Sequence, residues 1–309
     1  MQLEQWSHYW RSGSLTSLPQ DFSENYDGRI KDHWHKQLEQ FEEQSKTLDV
    51  CTGNGAIAVL TQQYSDNNNK HFDVHATDGA SINVKSLCAS YPQLAASYEK
   101  INFHSGMLFE QLDLEQSSFD LITSQYGIEY TDWQASASNI AKLLKTGGKL
   151  CLICHAPNTD ITKYMKLEQQ EYQYIQQLGF FDDIKSYLEN GIVFSKFVSK
   201  VKKNNKHLKQ KFKFNKSPLI KGLLGFYTHT LNCNEFQFAS EREHLSKFYF
   251  DHLHAFKRLS DILLVSDRLA KNPNWYNAFI ENNLALISKE DIYQNEQHLA
   301  GIAYTFEKK

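Results

Sequence analysis

The stretch Thr47-Leu48-Asp49-Val50-Cys51-Thr52-Gly53-Asn54-Gly55-Ala56 constrains this chain more than any other. It reads as a short buried strand, a glycine turn and the start of a helix. Leu48 and Val50 are strand formers, whereas Asp49 is an acid in an apolar strand end and needs partners there. Gly53 and Gly55 lack a Cβ, so backbone can approach a ligand and the chain can take positive φ. The next helix, with Ile57, Val59 and Leu60, aims its unpaired N–H groups at whatever lies above the turn. Such a turn is a cradle for a nucleotide-type cofactor, although Gly-x-Gly also occurs in plain turns.

Beyond the turn, helices and strands alternate. Ala56–Tyr64 is helical in pattern, and Phe72–Thr77 is a second strand ending at Asp78-Gly79. Ser81–Ser90 suits a helix, Ile101–Phe103 a third strand and Phe119–Ser124 a fourth. Thr131-Asp132 offers an N-cap, Ala137, Ile140, Ala141 and Leu144 keep helical spacing, and Gly147-Gly148 is expected to stop that helix. Lys149–Cys154 is the fifth strand. Strands alternating with helices predict a mostly parallel sheet covered on both faces.

Before this core, Tyr9–Ser14 reads as a loop and Asp32–Glu43 as a helix. His33 and His35 diverge on that helix and cannot share a metal. After the core the rhythm turns helical. Ser240-Glu241-Arg242-Glu243 has the form of a capping box opening a long periodic run (Leu245, Phe248, Phe256, Leu259, Leu263) that Asn272-Pro273 ends. Leu284–Ile287 and Ile302–Phe306 flank polar residues around Gln294-Asn295-Glu296, as in an antiparallel hairpin. The expected division is therefore an N-terminal aromatic arm and helix (1–45), a cofactor domain (46–155 with 281–309) and a helical insertion (156–280) that serves as a substrate lid.

The 309 residues carry a net charge of −3, so nothing global calls for a nucleic acid or membrane partner. No run approaches a membrane-spanning length, and Met1–His8 is too polar for a signal peptide. The five cysteines are irregularly spaced, which points to a reducing, cytoplasmic setting. Cys151 and Cys154 sit i and i+3 on a strand, facing opposite sides, and are read as core; no metal ligand set is inferred.

Asp78 ends the second strand 23 positions after Gly55, where an acid suits two ribose hydroxyls. A helix N-cap is the plainer role for Asp78-Gly79-Ala80-Ser81. Taken together, Leu48–Gly55, Asp78, Ser118–Ile122 and Leu143–Leu150 resemble the class I S-adenosylmethionine-dependent methyltransferases. The resemblance covers about residues 40–155 and the closing hairpin. It implies a Rossmann-like, doubly wound α/β fold, with a mostly parallel sheet, a terminal antiparallel hairpin and, here, a helical insertion. It implies S-adenosylmethionine as cofactor, with Asp49, Thr52, Gly53, Asn54 and Gly55 in the methionyl loop, Asp78 and Gly79 at the ribose, Gly106, Met107 and Leu108 near adenine, and Gln125 after strand four. Two positions depart from the family pattern: Cys51 replaces the first loop glycine, and Met107 stands where an acid often accepts from the adenine amino group. Gly53-x-Gly55-x-x-Ala58 also satisfies the dinucleotide fingerprint, so a nicotinamide cofactor is the rival. Asp49, the Leu-Lys-Thr-Gly-Gly element and the hairpin favour the methyl donor.

Methyl transfer needs alignment above all, and a base only if the acceptor must lose a proton. His155, after strand five, is the best base by side-chain chemistry; Tyr126, after strand four, is a second candidate or a pocket wall, and Glu129 lies nearby. Tyr9, Trp10 and Arg11 could close over the cofactor, with Arg11 pairing its carboxylate. Lys196–Lys216 holds nine lysines and no acid, with Phe197, Phe212 and Phe214 interleaved. It reads first as a solvated segment, second as an RNA-binding arm. No Asn/Asp-Pro-Pro-Tyr motif comes after strand four; Ser124-Gln125-Tyr126-Gly127 stands there instead. The expected acceptor is a small molecule, with an RNA methyltransferase or a non-catalytic cofactor-binding protein as the alternatives.

Overall fold

The computed structural model describes residues 3–17, 22, 24–214, 217–294 and 298–309. Lys216, Asn295 and Glu296, as well as Met1 and Gln2, lie outside the described residues. The chain forms two compact units, Met1–Thr159 with Leu264–Lys309, and Asp160–Leu263.

The first unit begins with α1 (Glu4–Arg11), α2 (Gly28–Leu38), β1 (Lys46–Val50), α3 (Ala56–Asn67), β2 (Asp73–Asp78), α4 (Val84–Ser90) and α5 (Ala95–Tyr98). It continues through β3 (Asn102–Ser105), β4 (Phe119–Gln125), α6 (Trp133–Leu143) and β5 (Leu144–Cys154). The second unit holds α7 (Asp160–Gln177), α8 (Phe180–Leu188), α9 (Phe194–Lys211), α10 (Pro218–Asn232), α11 (Glu235–Ser240) and the first part of α12 (Arg242–Lys271). The chain closes in the first unit with α13 (Asn277–Glu281), β6 (Leu284–Tyr293) and β7 (Leu299–Lys308).

Among the described residues the strands form one sheet, in the order β3-β2-β1-β4-β5-β7-β6. β1 to β5 pair in parallel, while β7 runs antiparallel to both β5 and β6. This is the expected Rossmann-like, doubly wound sheet with its closing hairpin. Both faces are covered. Leu121, Cys151 and Ile153 belong to one apolar core with Ile57, Leu60 and Trp34. Leu48, Val50, Ile122, Leu150, Leu152 and Cys154 belong to another with Ile140, Leu143, Trp275 and Phe279. Cys151 and Cys154 thus lie in opposite cores, both buried, as the two-residue period of a strand requires. The chain reverses its winding at β1, between β2 and β4, so the crevice outside the carboxyl ends of these strands is where a ligand fits.

Three local expectations are corrected. Tyr9–Arg11 is helical, not loop, because α1 runs from Glu4 and turns Leu3, Trp6 and Trp10 to one side. Gly147-Gly148 does not stop α6. That helix ends at Leu143, where Leu144 is already extended and buried, and the glycines fall in an irregularity of the β4–β5 register. Ser240 is the last residue of α11, its hydroxyl donates back to the Gln237 carbonyl, and a capping box is formed at the start of that helix by Asn234 and Gln237. Among the described residues no helix is long and apolar enough to cross a membrane.

Candidate active site

Backbone strain and buried polar contacts converge on the loop after β1. Cys51, Gly53 and Gly55 all have positive φ. Cys51 takes a left-handed conformation at 56°, where a glycine would be unstrained. The space its side chain needs is left open at Gly127, where an added Cβ would lie 2.3 Å from that of Cys51. The missing glycine has in effect moved across the cleft. At Gly53 an added Cβ would meet the Trp10 ring at 2.4 Å, so this glycine lets α1 lie directly on the loop. Asn54 holds the arm there, donating to the carbonyls of Trp10 and Ser14, both at 2.8 Å.

Asp49 anchors the loop from below. Its oxygens accept from Thr52 at 2.5 Å and from Thr123 at 2.8 Å, and its side chain is buried. Burial pushes its carboxyl up to about 7, with the Asp78 charge adding and the two threonine hydroxyls opposing. A carboxyl raised in the folded state binds more protons folded than unfolded, so stability falls as pH rises from about 4 towards 7. Between pH 5 and 8 this group is expected to cost about 2–3 kcal/mol. Asp49→Asn stays neutral and is expected to lose that part of the dependence. Urea denaturation at the two pH values checks it, and equal losses in both proteins would overturn it.

Asp78 closes the loop from the side. One carboxylate oxygen accepts from Gly53 N–H and the other from Ala80 N–H, each at 2.7 Å. The plainer capping role falls away, because α4 begins at Val84 and is capped by Asn83. Burial raises the Asp78 carboxyl, and the two backbone donors oppose it. Each oxygen keeps a lone pair for a further donor.

Asp78 and Gly79 line a cavity of about 290 Å³. Leu3, Trp6 and Trp10 of the arm line it too, as do Cys51, Leu108, Phe109, Glu110, Tyr126, Gly127, Tyr130, Thr131 and Asp132. Of the candidates read from sequence, Trp10, Asp78, Gly79, Leu108 and Tyr126 thus meet in one cavity. Asp49, Thr52, Gly53, Asn54 and Gly55 shape its floor rather than line it. Gly106 pins β3 to β2 through its N–H, bonded to the Asp78 carbonyl at 2.9 Å. Met107 is half exposed and Arg11 is exposed; neither is a lining residue. Gln125 points its oxygen at the Trp34 indole N–H, 2.6 Å away.

The sequence reading missed Glu110. It lies three residues beyond Met107, on a short 3-10 turn, and brings a carboxylate into the cavity. One of its oxygens accepts from Asp132 N–H at 2.9 Å. Leu3 and Trp6 were missed as well; their spacing with Trp10 was the available signal.

Beside the cavity stands a buried acid–imidazole pair. Glu129 is fully buried, and one oxygen accepts both the His155 backbone N–H at 2.9 Å and the ring Nδ1–H at 2.7 Å. Its other oxygen has no hydrogen-bond partner among the described residues, and the buried Cys154 thiol, pushed well up by burial first and then by the Glu129 charge, lies beside the carboxylate. Nδ1 is therefore the protonated nitrogen, and Nε2 is left as the acceptor. The His155 ring packs against those of Tyr126 and Tyr130, at 4.8 and 5.8 Å between centroids, and is 28% exposed. Tyr126 itself is a wall. Its hydroxyl donates to the Ala300 carbonyl at 3.0 Å, and burial pushes it well above the ordinary phenol range.

The model of the ubiE/COQ5 methyltransferase family matches residues 27–190, more than half of the chain. The chain belongs to that family. No curated protein matches it significantly. Among solved structures, the YcgJ protein from Bacillus subtilis is 19% identical over 45% of this chain, with a TM-score of 0.34. That match takes in 58% of YcgJ, less than two thirds of its length. A chain of the complex between the Haloferax volcanii Trm112 methyltransferase activator and its methyltransferase is 13% identical, over 98% of this chain and 96% of that one, with a TM-score of 0.44. A geranyl diphosphate methyltransferase in complex with GPP and sinefungin is 8% identical, over 91% and 78%, with a TM-score of 0.44.

Proposed function

We propose that this protein is an S-adenosylmethionine-dependent methyltransferase that binds its cofactor in the cavity under α1 and transfers the methyl group to a small-molecule acceptor. The observation that carries this reading is the donor and acceptor set of the cavity. Asp78 offers two free lone pairs to a ribose diol. Gly79, Leu108 and Phe109 offer apolar walls to a purine, and Glu110 offers a carboxylate to its amino group. When bound, the cofactor supplies a methyl group already activated on a sulfonium, which leaves by in-line displacement. The chain's own work is orientation, worth about 7–11 kcal/mol in well-aligned reactions. Trp6, Trp10, Tyr126 and Tyr130 line the cavity with aromatic rings and exclude water. His155 Nε2 takes the acceptor's proton, with the Glu129 carboxylate behind it to balance the imidazolium.

Enclosure favours a small acceptor, since such ligands usually bury 70–90% or more of their surface. Among the described residues, the candidate track for RNA is the lysine helix. Phe197, Val201 and Leu208 of α9 are buried in its unit's core, and Lys196, Lys202, Lys203, Lys206 and Lys209 are left in solvent. Calorimetry is expected to show binding of S-adenosylhomocysteine and none of NAD. RNA affinity is expected to be negligible at physiological salt. Tight NAD binding would overturn the cofactor reading. RNA binding that falls with salt at about −0.7 per neutralised phosphate, is lost in a Lys202→Gln, Lys203→Gln, Lys206→Gln variant and leads to methylation of that RNA would overturn the acceptor reading.

A further inference from the structure

The second unit carries a cluster that the methyl-transfer chemistry does not use. His229 lies in the last turn of α10, Cys233 is the residue that ends that helix, and Glu241 ends α11. The frame between them is fixed. The Cys233 N–H bonds to the His229 carbonyl at 3.2 Å, and Asn234 and Gln237 close the capping box of α11. Phe238, 2% exposed, anchors α11 in the apolar core of its unit. On that frame three ligand atoms of different chemistry face one another. His229 Nε2 is 2.6 Å from Glu241 Oε2 and 3.5 Å from Cys233 Sγ, and all three atoms lie within 4.8 Å of one another.

We propose that His229, Cys233 and Glu241 bind a thiophilic divalent cation, Zn2+. One sulfur, one imidazole nitrogen and one carboxylate oxygen form a borderline donor set that Zn2+ accepts in tetrahedral sites. With metal–ligand bonds of about 2.0–2.3 Å, tetrahedral geometry sets ligand atoms roughly 3.3–3.7 Å apart. The sulfur–nitrogen separation already has that value. The nitrogen–oxygen contact must open by about 0.7 Å, within reach of a carboxylate that is 37% exposed. Binding expels the thiol proton to solvent and leaves a thiolate–metal bond. Three protein ligands leave one position for water or an exogenous anion.

The test uses the full chain, reduced, stripped with a chelator and titrated with Co2+ and then Zn2+. We expect one Co2+ per chain with thiolate-to-cobalt charge-transfer absorption, displaced by Zn2+. Cys233→Ser should abolish the absorption. His229→Ala and Glu241→Gln should each weaken binding by more than the roughly 10–100-fold that loss of an outer partner costs. The His229 side chain is 52% exposed, so its variant retains the fold even if the cysteine variant does not. No charge-transfer absorption in the unaltered chain would overturn the proposal. So would absorption that survives in folded Cys233→Ser, because the other four cysteines would then be its source, or unchanged affinity in His229→Ala.

Discussion

Asp78→Ala is expected to bind S-adenosylhomocysteine at least ~100-fold more weakly than the unaltered protein, about 3 kcal/mol. Two losses combine. A ribose diol would lose both of its acceptors, and hydrogen bonds to a charged group are each worth about 1.5–3 kcal/mol. The N–H groups of Gly53 and Ala80, each 2.7 Å from the carboxylate, would also lose their partner. The first of them belongs to the loop on which Trp10 rests, so the cavity floor loosens with the ligand contact. Asp78→Asn keeps one acceptor oxygen but turns an amide N–H towards a backbone N–H, and it should fall between the two. Burial raises the Asp78 carboxyl, so acid should weaken binding sooner than it would for an exposed aspartate. Calorimetry on variants shown to be folded by circular dichroism decides the matter, and unchanged affinity in Asp78→Ala would refute the assignment.

Asp78 was legible in the sequence because a strand end, an acid and a glycine turn at fixed spacing leave few geometries open. The sheet was legible for a similar reason. Leu48, Val50, Ile122, Leu150 and Leu152 sit in short apolar runs between turn residues, and their order along the chain sets the parallel pairing. Other features depend on partners distant in sequence. Leu3, Trp6 and Trp10 have helical spacing, but their apolar face meets partners far along the chain: Leu3 lies against Gly79, Trp10 against Gly53 and Trp6 against the Tyr130 ring. Nothing local announces such a partner. Glu110 was invisible because a 3-10 turn, not residue spacing, decides that it rather than Met107 reaches the cavity. Gly147-Gly148 looked like a helix stop because the same glycines suit a strand irregularity, and only the register with Phe119 and Leu121 tells them apart. Glu129 and His155 are 26 positions apart, and their pairing comes from β4 and β5 being neighbours with Gln125 opposite Ile153.

His155→Ala is expected to lower turnover by about 10²–10⁴-fold, the usual contribution of a positioned base, with little change in affinity for S-adenosylhomocysteine. His155 is not among the residues lining the cofactor cavity, so its loss leaves that binding set intact. Its ring sits against Tyr126 and Tyr130, whose own positions are fixed by other contacts; the Tyr126 hydroxyl, for one, is held by Ala300. Glu129 acts through the imidazole and is a positioning residue. A carboxylate buried to 0% exposure, with one oxygen that has no hydrogen-bond partner among the described residues, is costly unless a cation forms beside it, and the imidazolium that proton transfer to His155 creates supplies that cation. Glu129→Gln keeps an oxygen for the His155 backbone N–H and ring N–H but removes the charge. Its expected loss is roughly 10–100-fold in turnover, from about 1.5–3 kcal/mol for a hydrogen bond to a charged group. Glu129→Ala is less informative, because it would strand the backbone N–H of a strand end as well. Release of S-adenosylhomocysteine, measured with fractionated small molecules until the acceptor is found and with that acceptor thereafter, gives the rates. Full turnover in His155→Ala would show that the acceptor attacks without losing a proton to this residue, and the pair would then be structural.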